Sequence, residues 1–282
     1  MRERSITHGR GAAQRHGGYH GGVLLAIDSS AGASTAVIHE GQVLASWRTA
    51  ETNTHAEVLA SAVQQVLEQA GVQAAELDGV VVGVGPGPFT GLRVGLALAH
   101  SLAEVWQKPL RGICSLDSIA ARIARWGLVG VGTGEFMAVT DARRREIYWA
   151  GYTVSMGQIS RVRGPEVCAP AEAPSLPAAG MGLSLYPEQL TPAYEDDPGV
   201  TSFAVDTWTP DAEDLGLLAE SDQSVLREPL PLYLRESDAK VPQQMRRQPA
   251  ASAENRAATQ ETPAQSGPVS RVQTQSSPGE GA

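Results

Sequence analysis

The chain has 282 residues, 42% of them hydrophobic, and a formal net charge of −9. Its mean hydropathy is −0.17, and no apolar run approaches the ~20 residues of a membrane-spanning helix, which excludes a membrane partner on this pattern. Two cysteines, Cys114 and Cys168, exclude a disulfide scaffold and a four-cysteine zinc site and point to a reducing, cytoplasmic setting.

Charge is uneven along the chain. Residues 1–21 and 241–282 hold eight of the 22 basic and four of the 31 acidic side chains, so the span between them is strongly acidic. Such a body repels a phosphate backbone unless a local basic patch intervenes, so any dealing with RNA is expected to be indirect. The low aromatic content, 5%, also argues against a stacking platform for single strands. Residues 1–21 lack the apolar stretch of a secretory signal and read as a disordered tail, and residues 241–282, rich in Gln, Ser, Pro, Ala and Thr, read likewise.

Val23–Asp28 is a short apolar run ending in an acid and reads as a buried strand. Thr35–His39 and Val43–Thr49 follow across Gly41, giving an antiparallel meander. Thr54-His55-Ala56-Glu57 is a capping-box pattern opening a helix through Ala70, with Gly71 as its stop. Gly79–Gly85 is a second buried strand. A Gly/Pro loop leads to a helix over Leu92–Trp106, then a strand at Leu110–Ile113 and a helix at Ser115–Arg125. The order β-β-β-α-β-α-β-α implies a mixed sheet with helices on both faces. Phe136–Asp141 and Glu146–Val154 read as a hairpin across Ala142–Arg145, and Pro165–Pro210 shows only fragments. A short helix at Ala212–Ala219 and a final strand at Leu232–Leu234 complete a smaller lobe. The pattern divides the chain into an N-terminal lobe over residues 22–128 and a C-terminal lobe over 129–240.

Two segments could handle phosphate. Asp28 and Ser30 end the first strand, and Gly85, Gly87, Thr90 and Gly91 form a strand-to-helix turn whose N–H groups could face an anion, with Thr90 as hydroxyl donor and cap. The alternative is a tight turn in which the glycines serve backbone geometry alone. Neither a Walker motif nor a dinucleotide fingerprint is present. No His-x-x-x-His or Cys-x-x-Cys pair occurs between the tails, so no protein-held metal is expected. Arg143–Arg145 read as a solvated turn or a contact for an acidic partner. The two long helices carry wide apolar stripes. One face of each covers the sheet, and any remainder is an interface.

LLAIDSS, THAEVL, GVGPGPFTGLRVG, GICSLDSIA, AVTDARRREIYWAGY and PLYLR occur in that order from Val23 to Arg235. The set resembles the bacterial TsaB (YeaZ) family, with a thinner match over residues 165–210. The resemblance implies an α/β fold of the actin-like/Hsp70/sugar-kinase (ribonuclease H-like) class, with two lobes whose mixed sheets are flanked by helices. It also implies a non-catalytic partner of TsaD in forming threonylcarbamoyladenosine at position 37 of tRNAs reading ANN codons. The ATPase TsaE is a third member, and tRNA is engaged through the complex. Homodimers are a further implication. On this reading the partner interface falls on the first two helices, at His55, Glu57, Leu59, Val63, Arg93, Leu96 and His100. Ser115 and Ile119 stand where TsaD carries a metal-binding His pair, and neither can replace it. No intrinsic cofactor is expected, and ATP or ADP would belong to the complex. The competing reading is an actin-like ATPase or small-molecule kinase using Asp28 and the Gly85–Gly91 loop. A glycoprotein endopeptidase lacks any supporting zinc-protease motif.

Overall fold

A computed structural model describes residues 21–49, 55–128, 134–193 and 203–235; on the first helix, side chains are described from residue 58 onward. Both tails, apart from Gly21, and the Thr54 cap lie outside the described residues. The order is β1 (Leu24–Asp28), β2 (Ala33–His39), β3 (Gln42–Thr49), α1 (His55–Ala70), β4 (Gly79–Gly83), α2 (Phe89–Trp106), β5 (Leu110–Ile113) and α3 (Ser115–Trp126). Then come β6 (Phe136–Asp141), β7 (Ile147–Ser155), β8 (Gln158–Cys168), β9 (Pro177–Ala179), α4 (Gly182–Leu185), β10 (Thr191–Pro192) and α5 (Ala212–Ser221).

The strands form two five-stranded sheets, ordered β3-β2-β1-β4-β5 and β10-β9-β6-β7-β8. In each, an antiparallel meander is extended by parallel strands: Ala26 faces Ala36 across β1–β2 and Val81 across β1–β4, and β6 pairs antiparallel with β7 but parallel with β9. The same order built twice is the actin-like, ribonuclease H-like architecture.

Strand alternation sorts the core. Leu25 and Ile27 of β1 point to the α1/α2 side with Leu59, Val63, Val66, Leu92 and Leu96. Leu24 and Ala26 point the other way, into a core shared with α3, α5 and the second sheet. Thus α5, from late in the chain, covers the first sheet, and α3, from the first half, covers the second. α5 sits close: a Cβ on Gly216 would fall 2.4 Å from an Ile38 side-chain carbon. An ion network pins the two inner helices together. Asp214 accepts from Arg122 and Arg125 at 2.6 Å each, and Asp211 caps α5 by accepting from Glu213 N–H at 2.8 Å.

Two expectations change and one strand is added. Residues 158–168 form β8, an edge strand mostly exposed to solvent. α2 begins at Phe89 with Pro88 at its N-cap, so exposed Thr90 is not the cap. Leu232–Leu234 is not a strand. Residues 227–235 instead form an extended strap. Arg227 bridges Gly112 on β5, Leu232 N–H donates to Val84 O at 2.8 Å, and Arg235 donates to Ala142 O at 3.0 Å and pairs with Glu146.

Candidate functional site

β1 delivers Asp28 to the buried end of the first sheet, where it is 1% exposed. Its Oδ1 accepts from Ser30 N at 2.9 Å and Ser30 Oγ at 2.7 Å, and its Oδ2 accepts from Ser115 Oγ at 2.6 Å. Ser115 Oγ in turn accepts from Gly85 N–H at 3.0 Å. One carboxylate therefore ties the β1–β2 turn, the glycine loop and the start of α3 together. Burial raises its pKa above the usual 3.8, against the lowering pull of the three hydrogen bonds.

The glycines of this region mark close approaches of chain to chain. A Cβ on Gly83 would collide with Asp28 Oδ2, and one on Gly87 would sit 2.5 Å from Ser30 O. Ser29 Oγ donates to Gly91 O at 2.8 Å and accepts from Gly95 N–H at 3.0 Å. Of the expected phosphate-loop residues, Asp28, Ser30, Gly85 and Gly87 converge and pack against one another and Ser115, Gly91 is tied to Ser29, and Thr90 is exposed and lines a groove with Leu59 and Phe89. A polar cleft of about 550 Å³ lies nearby, between Ala31–Ser34, Arg48, Arg122 and Thr207–Asp211. Its charges are mutually engaged, with Asp211 Oδ2 at 3.2 Å from Arg48 and 3.9 Å from Arg122.

Because folding raises the pKa of Asp28, the folded chain holds that proton more tightly than the unfolded one. The associated stabilisation is present in full below 3.8 and declines as pH rises through the raised value. Asp28→Asn removes this dependence. The melting temperature of the variant relative to the parent is expected to shift in the variant's favour as pH climbs from 4 toward 7.

The second feature is a groove of about 460 Å³ on the outer side of α1 and α2. Leu59, Ala60, Phe89, Arg93, Val94, Ala97 and Leu98 are among its lining residues. The interface expectation is corrected here in part. Leu59, Val63 and Leu96 are 0%, 2% and 5% exposed, so they belong to the core beneath the helices, and only Leu59 reaches the groove as its floor. Arg93 and His100 are exposed but held by the strap. Arg93 Nε donates to Tyr233 Oη at 2.9 Å and its guanidinium lies 3.6 Å from the Phe89 ring centroid, while His100 Nε2 contacts Pro229 O at 2.9 Å. His55 and Glu57 lie in the first turn of α1, and their side chains fall outside the described residues. Phe89, Val94 and Leu98, which the sequence reading did not single out, form the walls.

A third cluster lies under α3. Buried Asp117 accepts from Tyr152 Oη at 2.7 Å and pairs with Arg161 at 3.2 Å. Burial raises the pKa of Asp117 despite Arg161, and burial with the Asp117 charge pushes the adjacent Cys114 thiol up to about 12, which leaves it inert. At the positions set against the paralogue's histidines, Ser115 holds Asp28 and Ile119 is fully buried in the core. Among the described residues, no three His, Cys, Asp or Glu side chains gather to hold a metal.

Residues 48–195 match the family described as TsaD, tRNA N6-adenosine threonylcarbamoyltransferase. The chain is 39% identical over 222 residues to an uncharacterized protein of Mycobacterium tuberculosis, covering 77% of this chain and 93% of that one. A Mycobacterium leprae relative, 36% identical, is spanned over only 56% of its length. The tRNA threonylcarbamoyladenosine biosynthesis protein TsaB of Escherichia coli is 32% identical over 130 residues, 46% of this chain and 54% of that protein. The solved structure of YeaZ from Pseudomonas aeruginosa superposes with a TM-score of 0.60 at 30% identity, covering 76% of this chain and all of the other. With a shared fold, a matched family and relatives of this extent, the chain belongs to the TsaB (YeaZ) family.

Proposed function

We propose that this chain is a non-catalytic subunit in threonylcarbamoyladenosine formation, docking a TsaD-type transferase that modifies adenosine 37 of tRNAs reading ANN codons, with a TsaE-type ATPase as third member. The observation that carries this reading is the apolar α1/α2 groove on a chain of this family. Its walls are Phe89, Val94 and Leu98, and its lining is mostly carbon. An exposed groove of this kind suits a helix from a partner, and a second copy of this chain would compete for the same place. Ser115 and Ile119, spent on the fold, support the assignment of chemistry to the partner. ATP or ADP is assigned to the assembled complex, and no step is routed through Asp28. A reducing, cytoplasmic setting, expected for a chain with only two cysteines, fits this role.

The competing reading, an ATPase or kinase acting alone, makes the opposite forecast. Reconstitution with a TsaD-type subunit, a TsaE-type ATPase and tRNA is expected to give modified adenosine only when this chain is added. The isolated chain with ATP and magnesium is expected to turn over nothing. Turnover by the purified chain alone overturns the proposal.

A further inference from the structure

The β6–β7 turn carries Arg143, Arg144 and Arg145 at φ +60°, +56° and +63°. Left-handed backbone is disfavoured for any residue with a Cβ, and a run of three such residues is unusual. It persists only where the surroundings over-determine it. Here they do. Asp141 Oδ1 accepts from Arg143 N–H at 2.7 Å, and Asp141 Oδ2 pairs with the Arg143 guanidinium at 3.1 Å. Ala142 N–H donates to Glu146 O, and Glu146 N–H returns to Arg143 O, both at 3.0 Å. Arg235 of the strap braces the turn from below through Ala142 O and Glu146. All three arginines are exposed. With Arg235 they bring four cations to one corner, where among the described residues Asp141 pairs with Arg143 and Glu146 with Arg235, on a body that is otherwise acidic.

We propose that this turn is a direct contact of the chain with the phosphate backbone of RNA. The choice of RNA over an acidic protein rests on what surrounds the arginines. No exposed large apolar side chain lies within residues 141–147, so the turn lacks the aromatic or aliphatic anchor that centres a protein interface. Guanidinium groups match phosphate oxygens two at a time. The turn sets the three arginines on consecutive exposed positions, and an acidic body elsewhere would direct a polyanion to this corner. The preference for RNA as the polyanion rests on the proposed role in tRNA modification, and it replaces the expectation of purely indirect contact.

The test is fluorescence anisotropy of the full chain with a labelled tRNA transcript across a salt series. The Arg144→Gln/Arg145→Gln double variant is expected to bind at least tenfold more weakly at low salt, with a log–log salt slope shallower by about two. A control removing two charges elsewhere, Lys108→Gln/Arg111→Gln, is expected to bind as the parent does. Arg145→Gly, which suits the positive φ, is expected to hold or raise the melting temperature while weakening RNA binding, separating contact from folding. Absence of tRNA binding by the parent at low salt overturns the proposal. So does equal weakening in the two double variants, or displacement of tRNA from the parent but not from the turn variant by no more than a charge-matched acidic peptide. Binding is read on the chain alone. A chain that binds RNA through this turn yet fails to support modification therefore refutes the proposed function and leaves this contact standing.

Discussion

Ala97→Glu is expected to leave the protein folded and to weaken its association with a TsaD-type subunit by about 30-fold or more. Ala97 is exposed on α2 and lines the groove. Glutamate is a good helix former, so the fold should change by no more than about 0.5 kcal/mol. In a docked complex the same carboxylate is stripped of water with no partner, which costs about 2 kcal/mol or more. Leu59→Asp is the contrasting substitution. Leu59 is fully buried between α1 and the first sheet. Its replacement removes core volume and buries an unpaired charge, a loss of about 4 kcal/mol or more against a total stability of ~5–15 kcal/mol. Circular dichroism and co-purification separate the two. A folded Ala97→Glu chain that retains full association moves the docking surface off this groove.

The second large effect belongs to Asp28→Ala. It leaves Ser30 N–H, Ser30 Oγ and Ser115 Oγ without their acceptor in a buried place. A stranded buried donor costs about 1–3 kcal/mol, so a net loss of about 3 kcal/mol is expected. For a domain of this size that is a fall of roughly 6–12 °C in melting temperature. Below that melting point, tRNA modification supported by the variant is expected to match the parent. Loss of modification by a folded Asp28→Ala chain would restore a chemical role to this carboxylate.

The first half of the chain was legible because local and global signals agree there. Apolar runs such as Leu24–Asp28 and Gly79–Gly83 are buried on both faces, and Gly71 at φ +66° ends α1 where its pattern stops. β8 was not legible. It is an edge strand, and Arg161, Val162 and Arg163 stand exposed in succession, so no alternation marks it. β9 has three residues, the first of them proline. At the site, the apolar stripe of α1 carries no mark that separates residues facing the sheet from residues facing a partner. Leu59 and Val63 read as interface and turned out to be core for that reason. The glycine loop is ambiguous in a related way. Close packing against Ser30 and close packing against a phosphate both demand the same missing Cβ.

The strap and α5 set an order on biosynthesis. Ala212 N–H donates to Ser34 Oγ at 3.0 Å, and Arg93 meets Tyr233 across 140 positions of sequence. One face of the first sheet therefore stays bare to water until residues 212–235 have left the ribosome. The amino-terminal half must wait, with its apolar strands uncovered, for the last helix and strap to arrive, and that interval is when a chaperone would find this chain.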